Sequence, residues 1–166
     1  KKFDPKDISA IGISYQMHGL VVVDKEQKVL RDSIIWCDSR AVEIGENAFN
    51  SIGASICSSC LLNSPGNFTA SKLAWVKTNE PEIYKLIDKI LLPGDFLALT
   101  LTGEITTSAS ALSEAILYDF KENDLSSDVM NYFGFDDTLI PEVKLVFSSH
   151  GNLLKSVAQE LSLKEG

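Results

Sequence analysis

Residues 8–40 read ISAIGISYQMHGLVVVDKEQKVLRDSIIWCDSR. Two apolar runs, residues 11–14 and 20–23, flank a polar interruption, Gln16-Met17-His18-Gly19. A hairpin around Lys25-Glu26-Gln27-Lys28 follows, and its returning run, residues 33–36, delivers a second polar cluster, Asp38-Ser39-Arg40. Short apolar runs bounded by turn signals predict buried strands. Open α/β sheets bind ligands where such strands end. The segment therefore predicts a small-molecule site carried by a sheet, with an unpaired strand edge near residues 11–14 or 20–23.

Beyond it, helices and short strands alternate. Asp38 or Ser39 is positioned to cap a helix running to about Phe49. Residues 51–66 read as irregular, ending in the turn cluster Asn63-Ser64-Pro65-Gly66. Thr69 is a candidate cap for a helix through Val76, with Leu73 and Val76 on its inner face. Asn79 and Glu82 have capping-box spacing around Pro81. A short strand at 90–92 stops at Pro93-Gly94, a helix from about Asp95 runs to Leu101, and Gly103 suits its end. Residues 106–113 read as a loop or short helix and 116–119 as a strand. Helices are expected from Ser126 to Phe133-Gly134 and over 156–161.

The chain has 166 residues, is 45% hydrophobic and carries a net charge of −8, which fits one globular domain with a sizeable core. Its 15 basic residues form no stripe, which argues against nucleic acid. No apolar run approaches the roughly 20 residues of a membrane span. The three cysteines suggest a reducing compartment, and Cys57-Ser58-Ser59-Cys60 lacks the second ligand pair of a closed zinc site. Two small thiols inside the fold are the plainer reading.

His18 is the leading ligand candidate among the polar residues, because an imidazole in a strand-end turn offers a donor and an acceptor and so suits a ligand hydroxyl. Most histidines have no such task, so the residues alone leave a structural role open. Asp38 and Arg40 read first as a helix cap and a surface ion pair, the usual outcome for such residues, and otherwise as lining a cleft or a contact between copies. His150 lies in a turn and finds no GxSxG partner. Asp136 and Asp137 are adjacent and look like a solvated turn rather than an acid/base pair.

The same stretch resembles the FGGY family of sugar kinases, its xylulokinase branch most closely. IGISYQMHG and IIWCDSR match that family's "IGISGQMHG" and "ILWNDxR" in order and spacing; NFTASKLAWVKTNEPEIY and KILLPGDFLALTLTGE resemble "GFTAPKLLWLxxxEPE" and "xVLLPKDYLRxxLTGE". The resemblance implies a ribonuclease-H-like, actin-like α/β domain with a mixed sheet flanked by helices, incomplete at its leading strands. It implies that Met17 and His18 line a sugar pocket, that Asn67 touches substrate, and that Gln16, Gly19, Asp38 and Arg40 stand beside it. Tyr15 and Cys37 depart from the family's Gly and Asn.

No GxxxxGK[ST] occurs in the chain. The family's "GIDxGTSS" turn and its catalytic Asp, in a "GGGDNA" block, are expected outside residues 1–166, the Asp beyond Gly166, together with the ATP domain. The chain is thus expected to be a partial sugar-binding domain with no catalytic residue and no metal of its own. The intact protein is expected to be a cytoplasmic homodimer that phosphorylates D-xylulose to D-xylulose 5-phosphate with ATP and Mg2+. Another sugar of the family (ribulose, fuculose or gluconate) and a non-catalytic interaction domain of actin-like fold are the alternatives.

Overall fold

Three consecutive β-branched residues, Val21–Val23, form strand β1, buried on both faces. Leu20 and Val22 face the main core, while Val21 and Val23 face a smaller cluster with Leu91 and Leu99. Alternate side chains of a strand point to opposite faces, so an uninterrupted apolar run marks burial on both. The computed structural model describes residues 4–165; Lys1, Lys2, Phe3 and Gly166, the ends of the expected domain, lie outside the described residues.

β1 is paired on both sides. Strand β2 (Lys89–Leu91) lies antiparallel to it, Val21 opposite Leu91. On the other side the hairpin closes, with Leu20 and Ile34 exchanging N–H···O bonds of 2.9 and 3.1 Å and Val23 bridging Val29. The Asp24 carboxylate accepts from the Glu26 and Lys28 amides, both at 2.9 Å, and holds the turn shut.

Residues 11–14 are the first correction. They form no strand, Ile11 is 49% exposed, and none of the four makes a backbone hydrogen bond to another described residue. An apolar run becomes a strand only beside a free row of N–H and C=O groups, and both sides of β1 are already taken. The unpaired strand edge expected near 11–14 or 20–23 is thus found at neither place: residues 11–14 form no strand, and 20–23 are paired on both sides.

Around this strand pair come helices α1 (Val42–Ile52), α2 (Ala54–Ile56), a π-helical turn (Cys57–Leu61), α3 (Thr69–Asn79) and α4 (Pro81–Tyr84). Next are α5 (Pro93–Thr102), β3 (Thr106–Ser108), α6 (Ala109–Glu114), β4 (Tyr118–Asp119), β5 (Asp124–Leu125) and α7 (Ser127–Phe133). Strand β6 (Glu142–Lys144) and helix α8 (Lys155–Leu161) complete the order. β3 pairs parallel with β6 and β4 antiparallel with β5; among the described residues both kinds of pairing occur, in three separate two-stranded sheets rather than in one mixed sheet. Leu73 and Val76 of α3 are fully buried in the main core with Leu117 and Val129.

Several caps differ from expectation. The residue before α1 is Ala41, which provides no side-chain cap, because the Asp38 carboxylate is engaged by the Arg40 amide at 3.1 Å. Thr69 is the first residue of α3 rather than its cap, and its hydroxyl is used elsewhere. The Asn79–Glu82 capping box does not form: Asn79 Nδ2 donates back to the Trp75 carbonyl and Glu82 pairs with Lys85. Residues 54–61 are helical where the sequence reads as irregular. Ser126 does cap α7, through Val129 N–H, and Gly134 ends it with φ 61°.

Candidate functional site

The Gln16–Gly19 turn is gripped from three directions. A Cβ on Gly19 would lie 2.5 Å from the Pro93 ring, and one on Gly94 would lie 2.1 Å from the Tyr15 ring. Both glycines are thus needed for the turn to lie flat on the start of α5. From α3, Thr69 Oγ1 donates to the Gly19 carbonyl at 3.2 Å and Lys72 Nζ to the His18 carbonyl at 2.8 Å. From the end of α6, the Glu114 carbonyl lies 2.9 Å from His18 Nδ1, and its carboxylate lies 3.5 Å away.

His18 itself sits at φ 62°, the left-handed region that non-glycine residues seldom occupy. Its ring packs edge-on against Phe68, with centroids 4.0 Å apart. A carbonyl oxygen can only accept, so the Glu114 contact assigns the proton of the neutral ring to Nδ1. That leaves Nε2 as an acceptor. Met17, at the tip of the turn, is 46% exposed.

Gln16 links this turn to the second cluster, its Oε1 accepting from the Trp36 amide at 3.4 Å. Asp38 and Arg40 form a two-point pair, at 2.9 and 2.7 Å, and the guanidinium lies 4.5 Å above the Trp75 ring. The hydrogen bond from Arg40 holds the Asp38 carboxyl down at about 2. Asn67 Nδ2 donates to the Asp38 carbonyl at 2.5 Å, while its Oδ1 is buried with no partner among the described residues. Met17, His18, Gln16, Gly19, Asp38, Arg40 and Asn67 thus lie on three neighbouring segments joined by hydrogen bonds and the His18–Phe68 contact. Two cavities, of about 440 and 360 Å³, lie elsewhere, the larger at residues 8–11 and 147–153 and the smaller beside residues 143–146.

Other sequence candidates resolve into structural roles. Asp95 accepts from the Leu92 amide at 3.2 Å and from the Thr107 hydroxyl at 3.0 Å, and burial pushes its carboxyl up to about 6. His150 bonds the Thr106 hydroxyl at 2.9 Å. Asp136 accepts from Thr138 in a short helical turn. Cys37, Cys57 and Cys60 are free thiols.

The profile of the N-terminal domain of the FGGY family of carbohydrate kinases matches residues 1–166. The chain belongs to this family. Xylulose kinase of Escherichia coli K12 is 35% identical over 154 residues, covering 93% of this chain and 32% of that protein. A xylulose kinase structure from Brucella ovis superposes with a TM-score of 0.83 at 32% identity, over 96% of this chain and 32% of that one. A glycerol kinase structure from Plasmodium falciparum, with ADP, gives a TM-score of 0.84 at 23% identity over 93% of this chain and 32% of that one, and speaks for the fold alone. The fold is the actin-like α/β fold of these kinases, and the chain spans about a third of the length of the curated relatives it matches.

For this FGGY chain, the structure adds residues that the sequence alone does not single out. Lys72 is fully buried, and its signal is one charge inside the small and apolar run TASKLAW. Thr69 has the look of a cap but serves the Gly19 carbonyl. Glu114 carries no signal, because it acts mainly through its backbone. Tyr15, a departure from the family's Gly, fills the space above Gly94, and burial beside Asp95 and Glu114 pushes its phenol up to about 12.

Proposed function

We propose that the intact protein is an ATP-dependent ketose kinase, converting D-xylulose to D-xylulose 5-phosphate, and that this chain supplies the sugar-binding part of its N-terminal domain. The observation that carries the reading is the His18 ring. Its Nδ1 is committed to Glu114, and its Nε2 is left to accept from a sugar hydroxyl. Met17, exposed beside it, offers an apolar surface to the C–H face of the sugar. The four sequence blocks and the relatives named above support a pentulose as the sugar.

On this proposal the phosphate loop, the catalytic carboxylate and the nucleotide site lie in parts of the intact protein outside this chain, a placement carried over from the family resemblance. The residues of this chain bind and orient the ketose. Three free thiols support a reducing compartment and hence the cytoplasm. No helix among the described residues is long and apolar enough to cross a membrane. The homodimer is carried over from the resemblance.

The test is His18→Ala in the intact protein. One neutral hydrogen bond is worth about 0.5–1.5 kcal/mol net, which corresponds to roughly a tenfold loss of ketose affinity at the upper end. The KM for ATP and the melting temperature are expected to stay close to those of the native protein. A sharp fall in melting temperature with unchanged D-xylulose binding per folded molecule would show His18 to be a packing residue and sink the reading.

A further inference from the structure

Helix α3 carries a charge into the core beneath the sugar turn. Lys72 is 0% exposed and heads the fully buried side chains by volume. Its ammonium makes one side-chain hydrogen bond, to the His18 carbonyl at 2.8 Å, and no ion pair with a carboxylate among the described residues. Asp38 and Cys37 are its ionisable neighbours, and burial pulls it down to about 8. One helical turn earlier Thr69, also fully buried, donates to the Gly19 carbonyl at 3.2 Å. Residues three apart share a helix face, so α3 presents two donors to two consecutive carbonyls. Those carbonyls belong to the residue at φ 62° and the one after it.

Packing alone accounts poorly for this lysine. A buried ammonium without a carboxylate partner costs stability, and an apolar side chain of similar volume fills such a site at less cost. What the ammonium does provide is a directed, charge-assisted bond to the carbonyl of a strained residue. The direction of the His18 ring, edge-on to Phe68 with Nδ1 at Glu114, depends on that backbone staying left-handed.

We propose that Lys72 is a positioning residue for substrate binding: by holding the His18 carbonyl it keeps the turn left-handed and Nε2 of the ring directed at the ketose. The proposal rests on the reading of His18 as a sugar contact. Lys72 touches no substrate; it acts through His18, and Thr69 assists at Gly19.

The experiment is a double-mutant cycle in the intact protein, following the KM for D-xylulose, the KM for ATP and the melting temperature of Lys72→Met, His18→Ala and the pair. Lys72→Met is expected to raise the ketose KM roughly tenfold, to leave the ATP KM within about twofold and to leave the melting temperature unlowered. In the His18→Ala background it is expected to raise the ketose KM no further, because residues acting through one another are not additive. If Lys72→Met fails to fold, Thr69→Val replaces it, with a smaller rise that is likewise lost when His18 is absent. Additive effects, or an unchanged ketose KM with a lowered melting temperature, would overturn the proposal and leave the sugar-contact reading standing. A His18→Ala variant with the native ketose KM would overturn that reading and this proposal together.

Discussion

Two buried ionisable residues beside the turn set opposite pH dependences. Burial raises Asp95 from 3.8 to about 6, so between those values the folded state binds more protons than the unfolded one. Stability contributed there is present in acid and falls as pH rises through 6. Asp95→Asn keeps an acceptor for Leu92 N–H and Thr107 and removes the charge. It is expected to stabilise the intact protein at pH 7, by at most about 3 kcal/mol, and to do nothing near pH 3.5, as read by thermal melts at both values. Lys72 runs the other way. Its folded value of about 8 lies below the ordinary lysine value of 10.5, so the unfolded state holds more protons between them and stability rises with pH across that window. Over the same window the neutral amine becomes a weaker donor to His18, so ketose affinity is expected to fall while the melting temperature rises. Asp38 and Cys37 are the ionisable groups facing it, and Cys37→Ser removes the thiol from the comparison. Of the residues around the turn, His18 is legible as a candidate in the sequence, because an imidazole in a turn after an apolar run stands out, whereas Asn67 is offered by the family resemblance alone. The left-handed backbone of His18 and the carbonyl of Glu114 are not, because backbone contacts carry no residue signature.

Helix α1 and the Pro65-Gly66 turn meet backbone to backbone at Gly45. A Cβ on Gly45 would lie 1.7 Å from the Gly66 carbonyl oxygen, and backbone on both sides leaves nothing flexible to give way. Gly45→Ala is expected to force α1 off the turn, destabilising the fold by more than the roughly 1 kcal/mol that helix propensity returns, and to move Asn67 with it. Melting temperature and ketose KM, both worse than native, are the readouts. Leu73→Ala, at a fully buried position of α3, is expected to cost about 2–5 kcal/mol while leaving ketose affinity per folded molecule unchanged. Helix ends with a local chemical cause are legible in the sequence: Ser126 and Gly134 bound α7, and Gly103 ends α5 at φ 77°. Strands are less so, because pairing depends on a partner far away in sequence. Residues 11–14 have the composition of a strand and no neighbour, whereas Thr106–Ser108, small and polar, is a strand because Glu142–Lys144 lies beside it.

At the scale of the whole molecule, the chain is about a third of its FGGY relatives' length, and its surface carries Leu145 at 81% and Phe147 at 102% exposed. The proposal places the phosphate loop and the catalytic carboxylate outside it. The isolated chain is therefore expected to consume no ATP in response to D-xylulose, and sugar-dependent turnover by it would refute that division of labour. The central claim is that the Gln16–Gly19 turn holds the ketose through His18. A crystal structure of the intact protein with D-xylulose tests it most directly. The expected result is a sugar hydroxyl within about 3.2 Å of His18 Nε2, with Nδ1 still on the Glu114 carbonyl and Lys72 still on the His18 carbonyl. A ketose bound away from this turn, with the His18 ring making no contact to it, would contradict the account.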